Sequence, residues 1–280
     1  MKKIGFIDYY ISEWHANNYP AWIKAANEKL RTDFEVAYVW AEKGVSPLDG
    51  VTTEQWCEQY GTKKCETIEE LCEKSDYIMI LAPSDPETHL RYAEKVLPYG
   101  KPTYIDKTFA PDYKTAKKIF EIAEKHNTPF FSTSALRYAE EFSELTGVTN
   151  AVITGGGGNF HEYMIHPIEI FVSLFSDKTS RVKVESIGAQ RLCRLQTEQG
   201  FEAAIVYSPG YIYTVTAQMS EGMFCKKDAT ADFFVVLSEK IIDFFKTGRL
   251  PFDTAETLEV MRVRDALIEA EKRDGEWMEI

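Results

Sequence analysis

The sequence predicts an α/β protein in two parts. Residues 1–132 read as a doubly wound parallel sheet, and residues 133–280 as an α+β domain on an open, mostly antiparallel sheet. Three observations predict this. Short apolar segments alternate with helical patterns through the first half, as βαβ units do. Tyr77–Leu81 is a continuous apolar run, expected of a strand covered on both faces. After about residue 148 the alternation stops, and longer strands follow a single helix.

Each element has its own local reason. Ile4–Asp8 opens the first sheet. A helix is expected over Trp22–Arg31, with Asn17, Asn18 and Pro20 as its start signal. Phe34–Trp40 is the second strand and Thr53–Tyr60 a helix. Cys65 is expected on a short strand, and Thr67 caps a helix over Ile68–Glu73. Tyr77–Leu81, Pro102–Ile105 and Pro129–Ser132 read as strands, separated by helices over Glu87–Leu97 and Tyr113–His126. In the second half, a strand over Ala151–Thr154 runs into four glycines, Gly155 to Gly158, and a helix over Tyr163–Leu174. Pro167 lies inside that pattern, so a start at Pro167 with His166 in the preceding loop is an alternative. Strands are expected over Val182–Arg191, Glu202–Tyr207 and Tyr211–Gln218. Ser208-Pro209-Gly210 reads as a hairpin signal between the last two. Helices over Phe233–Thr247 and Thr254–Lys272 and an edge strand over Trp277–Ile280 complete the chain.

Composition sets bounds on function. The chain has 280 residues, a net charge of −12, 44% hydrophobic and 27% charged residues. That charge argues against nucleic acid or an anionic membrane as partner, though a locally basic pocket for a small anion stays open. The apolar part of the N-terminus is too short for a signal peptide, and no stretch approaches a membrane span. The five cysteines lack CxxC spacing, so neither a metal site nor a disulfide framework is expected, and a reducing cytoplasm suits them.

Several segments together resemble one family. Leu81-Ala82-Pro83-Ser84 with Thr88-His89 is similar to a strand-end "ATPxxxH" segment. Tyr99-Gly100-Lys101-Pro102 with Asp106-Lys107-Thr108 resembles "GKHV…EKP". Arg137 stands where an "RF" pair would, and Glu162-x-x-x-His166-x-x-Glu169 resembles "DxxxHxxD". Order and spacing match the Gfo/Idh/MocA oxidoreductases over nearly the full length. The resemblance implies a Rossmann-like first domain, NAD or NADP as cofactor, a sugar, polyol or related hydroxy compound as small-molecule substrate, and a homo-oligomer (dimer or tetramer) formed through the C-terminal sheet. It places Lys107, His166 and Glu162 around the reacting carbon. It places Ile7, Asp8, Tyr9, Tyr10, Glu42, Pro83, Ser84, His89 and Asp106 near the cofactor. Arg137, Tyr163 and Asn159 are the substrate candidates, with Tyr138 and Arg191 as further polar contacts.

The residues themselves agree in part. Lys107 follows a predicted parallel strand, the edge at which doubly wound sheets bind ligands. An ammonium there donates to a substrate oxygen. His166 follows Glu162 by four residues, so a helix would present both on one side, where an imidazole handles a hydroxyl proton. The plainer alternatives are a solvated lysine and an ordinary helix-face pair; His161 is a second candidate base.

The departure that matters is the turn after the first strand. Family members carry GxGxxG there, because glycine backbones approach a pyrophosphate closely. This chain has Asp8-Tyr9-Tyr10-Ile11-Ser12-Glu13-Trp14-His15. Its two carboxylates repel phosphate at short range. The second strand ends on Val39-Trp40-Ala41-Glu42, leaving Glu42 as the substitute for the ribose-binding acid. Two readings follow: a nicotinamide-dependent oxidoreductase with an altered loop, or a cofactor-free descendant that binds a ligand or partner. A third version keeps Lys107 and His166 for proton transfer on a sugar without hydride transfer.

Overall fold

The computed structural model describes residues 1–280 apart from Glu221, Met223 and Ala231. The chain divides into two compact units. The first comprises residues 1–133 and 234–254, the second residues 134–233 and 255–280.

The first unit holds six strands: β1 (Lys2–Asp8), β2 (Phe34–Ala41), β3 (Lys63–Lys64), β4 (Tyr77–Ile80), β5 (Thr103–Ile105) and β6 (Phe130–Phe131). They are all parallel, in the order β3-β2-β1-β4-β5-β6. Helices α1 (Trp14–Leu30), α2 (Thr53–Tyr60), α3 (Ile68–Lys74), α4 (His89–Val96) and α5 (Tyr113–His126) connect them. The strand order reverses between β1 and β4, so the ligand crevice of such a sheet lies beyond their carboxyl ends. The expected α/β class and doubly wound sheet are present.

Three details of this unit differ from expectation. Helix α1 starts eight residues earlier than predicted and contains Pro20, because Glu13, not an asparagine, is its N-cap. The strand near Cys65 is the pair Lys63–Lys64, just before it. The expected single boundary after residue 132 is also incomplete. Most of helix α8 (Phe233–Thr247) belongs to the first unit. Its aromatic side chains explain this: Phe234 stacks on Trp22 at 4.4 Å, Phe245 on Tyr77 at 4.8 Å, and Phe244 meets Phe131 edge-on at 5.2 Å. Each such pair adds to the burial of large apolar rings.

The second unit is a seven-stranded sheet with helices. Its strands are β7 (Val148–Gly155), β8 (Thr179–Ile187), β9 (Gln190–Thr197), β10 (Glu202–Tyr207), β11 (Thr214–Met219), β12 (Phe224–Asp228) and β13 (Met278–Glu279). The order is β12-β11-β7-β10-β9-β8-β13, antiparallel except for β7 beside β10. Helices α6 (Phe160–Tyr163), α7 (Ile165–Phe175) and α9 (Ala255–Glu271) complete the unit. Pro167 sits in the first turn of α7, where its missing N–H costs little, and His166 is helical rather than in a loop.

Two strand expectations are corrected here. Ser208-Pro209-Gly210 does not close a hairpin, because β7 lies between β10 and β11 and pairs with both. The run Val182–Arg191 is two strands, turned between Ile187 and Gln190 with Gly188 at φ +60°. A left-handed position in a two-residue turn is what glycine permits.

Candidate functional site

In the first unit, the crevice beyond β1, β4 and β5 is laced by acidic side chains. Asp8, the last residue of β1, is buried at 1% exposure. Its Oδ1 accepts the N–H of Tyr9 at 2.7 Å and that of Ala82 at 3.1 Å, which ties the end of β1 to the residue after β4. Its Oδ2 is also buried and has no hydrogen-bond partner among the described residues. Burial, then the charge of Glu13, pushes the Asp8 pKa well above the ordinary aspartate value.

Glu13 caps α1 with its own side chain. Its Oε2 accepts the His15 N–H at 2.8 Å, and its Oε1 accepts the Ala16 N–H. These are first-turn amides, which no intrahelical carbonyl can reach. Burial raises the Glu13 pKa, against the pull of His15 and the two amides.

His15 and Asp106 join α1 to the end of β5, with Nδ1 and Oδ2 2.5 Å apart. Asp106 Oδ1 also accepts the Lys107 N–H at 2.8 Å and the Tyr104 hydroxyl at 3.1 Å. Burial alone would raise the Asp106 pKa, but His15 and Lys107 hold it below its ordinary value. Lys107 is half-buried, and the Lys107–Thr108 peptide is cis.

The other cofactor candidates are distributed around this crevice. Ile7 is a core residue of β1. The Lys43 ammonium and the Arg91 guanidinium lie 5.6 and 6.0 Å from the ring centre of Tyr9. Tyr10 is half-buried, and its hydroxyl pKa is raised, first by burial and then by Asp85, Asp8 and Glu13. Glu42 is held by Arg91 and by the Tyr92 hydroxyl, the latter at 2.8 Å. Pro83 is buried and Ser84 exposed. His89 is fully buried, its ring nitrogens 3.0 Å from the Phe109 carbonyl and 2.5 Å from that of Leu81. Burial lowers the His89 pKa, and a neutral imidazole donates only one hydrogen bond, so the ring donates to one of these two carbonyls and not to both.

In the second unit, His166 Nδ1 lies 2.7 Å from Ser134 Oγ, between the rings of Tyr163 at 5.9 Å and Tyr213 at 5.7 Å. The four-glycine run is a bed for tyrosines. Tyr207 and Tyr213 donate their hydroxyls to the carbonyls of Gly157 at 2.9 Å and Gly156 at 2.7 Å. A Cβ on Gly157 would stand 1.9 Å from the Tyr163 ring. Asn159 caps α6 by accepting the Glu162 N–H, and its amide donates to Glu162 Oε2 at 3.0 Å. Arg137 is engaged by two acids, Glu169 at 2.6 Å and Glu256 at 2.8 Å, and its side chain is 8% exposed. His161 and Arg191 both bind Glu271, at 2.8 and 2.5 Å. The second unit thus brings His166 and Tyr163 together. Sequence reading missed Ser134, Tyr213, Glu13 as a cap, and His15. Only the Ser-Glu-Trp-His run at the head of α1 carried a signal for the last two.

Residues 30–134 match the model of the oxidoreductase family with an NAD-binding Rossmann fold, Gfo/Idh/MocA. Over those residues the match agrees with the resemblance carried by the motifs. The Gfo/Idh/MocA match begins within α1, after the turn that lacks glycine. Similar solved structures include a probable dehydrogenase from Thermotoga maritima, with TM-score 0.78, 13% identity and coverage of 99% of this chain and 98% of that one. A scyllo-inositol dehydrogenase from Lactobacillus casei, solved with NAD(H) and scyllo-inositol, has TM-score 0.75, 15% identity and coverage of 99% and 98%. A UDP-N-acetylglucosamine 3-dehydrogenase from Acidithiobacillus ferrooxidans has TM-score 0.77, 12% identity and coverage of 96% and 97%. At such identities the likeness is one of fold. No curated protein sequence matches the chain.

The residues at the head of α1 do not fit the pyrophosphate of such a cofactor. A dinucleotide of this fold places its phosphates on the first-turn amides. Here two of those amides already hold a carboxylate, with Asp8 buried close by. Among the described residues no group of His, Cys, Asp or Glu is arranged to hold a metal, and no helix is long and apolar enough to cross a membrane.

Proposed function

We propose that this chain is a Gfo/Idh/MocA-type protein for a small polyhydroxylated ligand, a sugar, polyol or related hydroxy compound, with no dinucleotide seated on the turn between β1 and α1. The observation that carries this is the Glu13 carboxylate on the His15 and Ala16 amides. The ligand class rests on the inositol and nucleotide-sugar dehydrogenases that share the fold. The chemistry left to the chain is acid–base chemistry. His166, oriented by Ser134, takes or gives a hydroxyl proton, with Glu162 one helical turn before it. Aromatic rings such as Tyr163 and Tyr213 suit the apolar face of a sugar ring. A thermal-shift panel of inositols, aldoses and polyols tests the ligand class. Stabilisation by one class, lost in His166→Ala, is expected; no response to any member overturns it.

A second reading has a specific observation in its favour, the match of residues 30–134 to an NAD-binding oxidoreductase family. In it the chain transfers a hydride between a CH–OH group and NAD or NADP. That reading requires Glu13 to leave the α1 amides. Saturable binding of NADH or NADPH to the unaltered chain would favour it over the first.

A homo-oligomer through the seven-stranded sheet belongs to the same proposal, supported by Val152 and Phe224, 45% and 75% exposed. Analytical ultracentrifugation tests it. The buried Cys65 and Cys72 thiols, pushed up by burial to about 11 and about 12, stay protonated and unreactive.

A further inference from the structure

We propose that His15 and Trp14 form a ligand subsite in the first unit, at the carboxyl edge of β5, where the His15 ring accepts a hydroxyl of a neutral polyhydroxylated compound. The inference rests on the ligand class proposed above and gives it a contact point on residues which that reading did not use.

Asp106 fixes which nitrogen of the His15 ring carries the proton. Its Oδ2 lies 2.5 Å from Nδ1, while its Oδ1 already accepts the Lys107 N–H and the Tyr104 hydroxyl. Burial works against its charge, but His15 and Lys107 hold its pKa below the ordinary value, so it is a carboxylate. A carboxylate only accepts, so Nδ1 donates, and Nε2 of the neutral ring is left as an acceptor. Nε2 has no hydrogen-bond partner among the described residues, and it is not sealed from solvent. The side chain that carries it is 9% exposed, and a polar atom on a ring so deeply held is ordinarily matched. The ring is gripped on one side and leaves one atom to meet a ligand.

The surroundings select that ligand. Nε2 needs a donor, which a hydroxyl supplies and a carboxylate does not. Asp8, Glu13 and Asp106 feel one another's charge in this crevice, so an anion is repelled where a neutral hydroxyl is not. Trp14 supplies the apolar contact. Its ring centre is 5.3 Å from that of His15, and it meets Trp22 at 5.3 Å and Phe234 at 5.0 Å, edge to face. Although three rings steady it, Trp14 is 56% exposed. Fixed aromatic rings with a few placed polar atoms are the make-up of small-molecule sites. A sugar or cyclitol ring offers the complement to both, C–H groups on its face and hydroxyls on its rim.

NMR of the histidine ring nitrogens in the unaltered chain tests the tautomer at pH 8, above the ordinary histidine value of about 6.5. His15→Gln assigns the signal; should it fail to fold, substituting the other four histidines one at a time assigns it by elimination. Nδ1 protonated and Nε2 bare is expected, and a protonated Nε2 overturns the inference. The ligand is tested on the same signal with the inositols, aldoses and polyols of the panel above, and with gluconate as an anionic counterpart. A panel member that raises the melting temperature is expected to move the Nε2 resonance upfield, while gluconate leaves it in place. Trp14→Ala, a change at an exposed position, is expected to weaken that response about fivefold. Stabilisation by a panel member with the His15 signal unmoved overturns the inference and leaves the ligand class standing. An equal response to gluconate, or an unweakened one in Trp14→Ala, overturns it too. No stabilisation by any member overturns the ligand class itself, and the subsite with it.

Discussion

His15 and Asp106 are 91 residues apart in sequence, and their side chains meet 2.5 Å apart inside the first unit. The contact fixes the first turn of α1 to the end of β5. It also spends the Asp106 carboxylate, which precedes Lys107, on structure.

Asp106→Asn is expected to destabilise the chain by about 2–3 kcal/mol at neutral pH, because the buried carboxylate that holds the His15 ring, the Tyr104 hydroxyl and the Lys107 N–H is removed. Asp106 has its pKa held below the ordinary 3.8, so its stabilising contribution is complete above about pH 4. It is lost as pH falls through the lowered folded value. Melting curves of the two proteins from pH 7 down to pH 3 should therefore converge at the acid end. A constant gap across that range would show that the charge is not the source.

Asp8→Asn is expected to do the reverse. The folded pKa of Asp8 is raised above 3.8, so its burial is tolerated fully below that pH and works against folding as pH rises through the folded value. Asparagine keeps the Oδ1 acceptor for Tyr9 and Ala82 without the charge. A gain of a few degrees in melting temperature at pH 8 that vanishes near pH 4 is expected. A loss of stability at pH 8 would contradict this.

Arg137→Met is expected to cost about 3–5 kcal/mol, since it removes the buried cation that pairs with both Glu169 and Glu256. Urea unfolding measures it. Unchanged stability with weakened ligand binding would restore Arg137 as a ligand contact.

Much of this was legible in the sequence. Strand-and-helix alternation pointed to the parallel sheet, and the continuous apolar run of β4 marked a strand covered on both faces. The motif order gave the family resemblance. Three things were not legible, each for a physical reason. Glutamate is a poor signal for a helix start, so α1 was expected to begin after Pro20 rather than at Trp14. Ser208-Pro209-Gly210 has hairpin chemistry, but sheet order is set by long-range pairing, and β7 takes the place between β10 and β11. The aromatic face of α8 fits the first unit, which no local pattern announces. The candidates Lys107 and His166 rest on motif spacing alone. Ser134, Tyr213 and His15 came into view only through tertiary contacts.

Gly157→Ala is expected to destabilise the second unit by at least about 2 kcal/mol. Its φ of +146° disfavours a side chain, and the new methyl would meet the Tyr163 ring. Thermal unfolding followed by tyrosine fluorescence checks it. Unchanged stability would mean that the tyrosine bed is loose.

The central claim is that the Glu13 carboxylate takes the α1 amides that a cofactor phosphate would need. Isothermal titration of NADH and of NADPH into the purified, unaltered protein tests it most directly. No saturable heat up to about 1 mM is predicted, the upper end of ordinary enzyme affinities. Saturable binding at micromolar cofactor would contradict it.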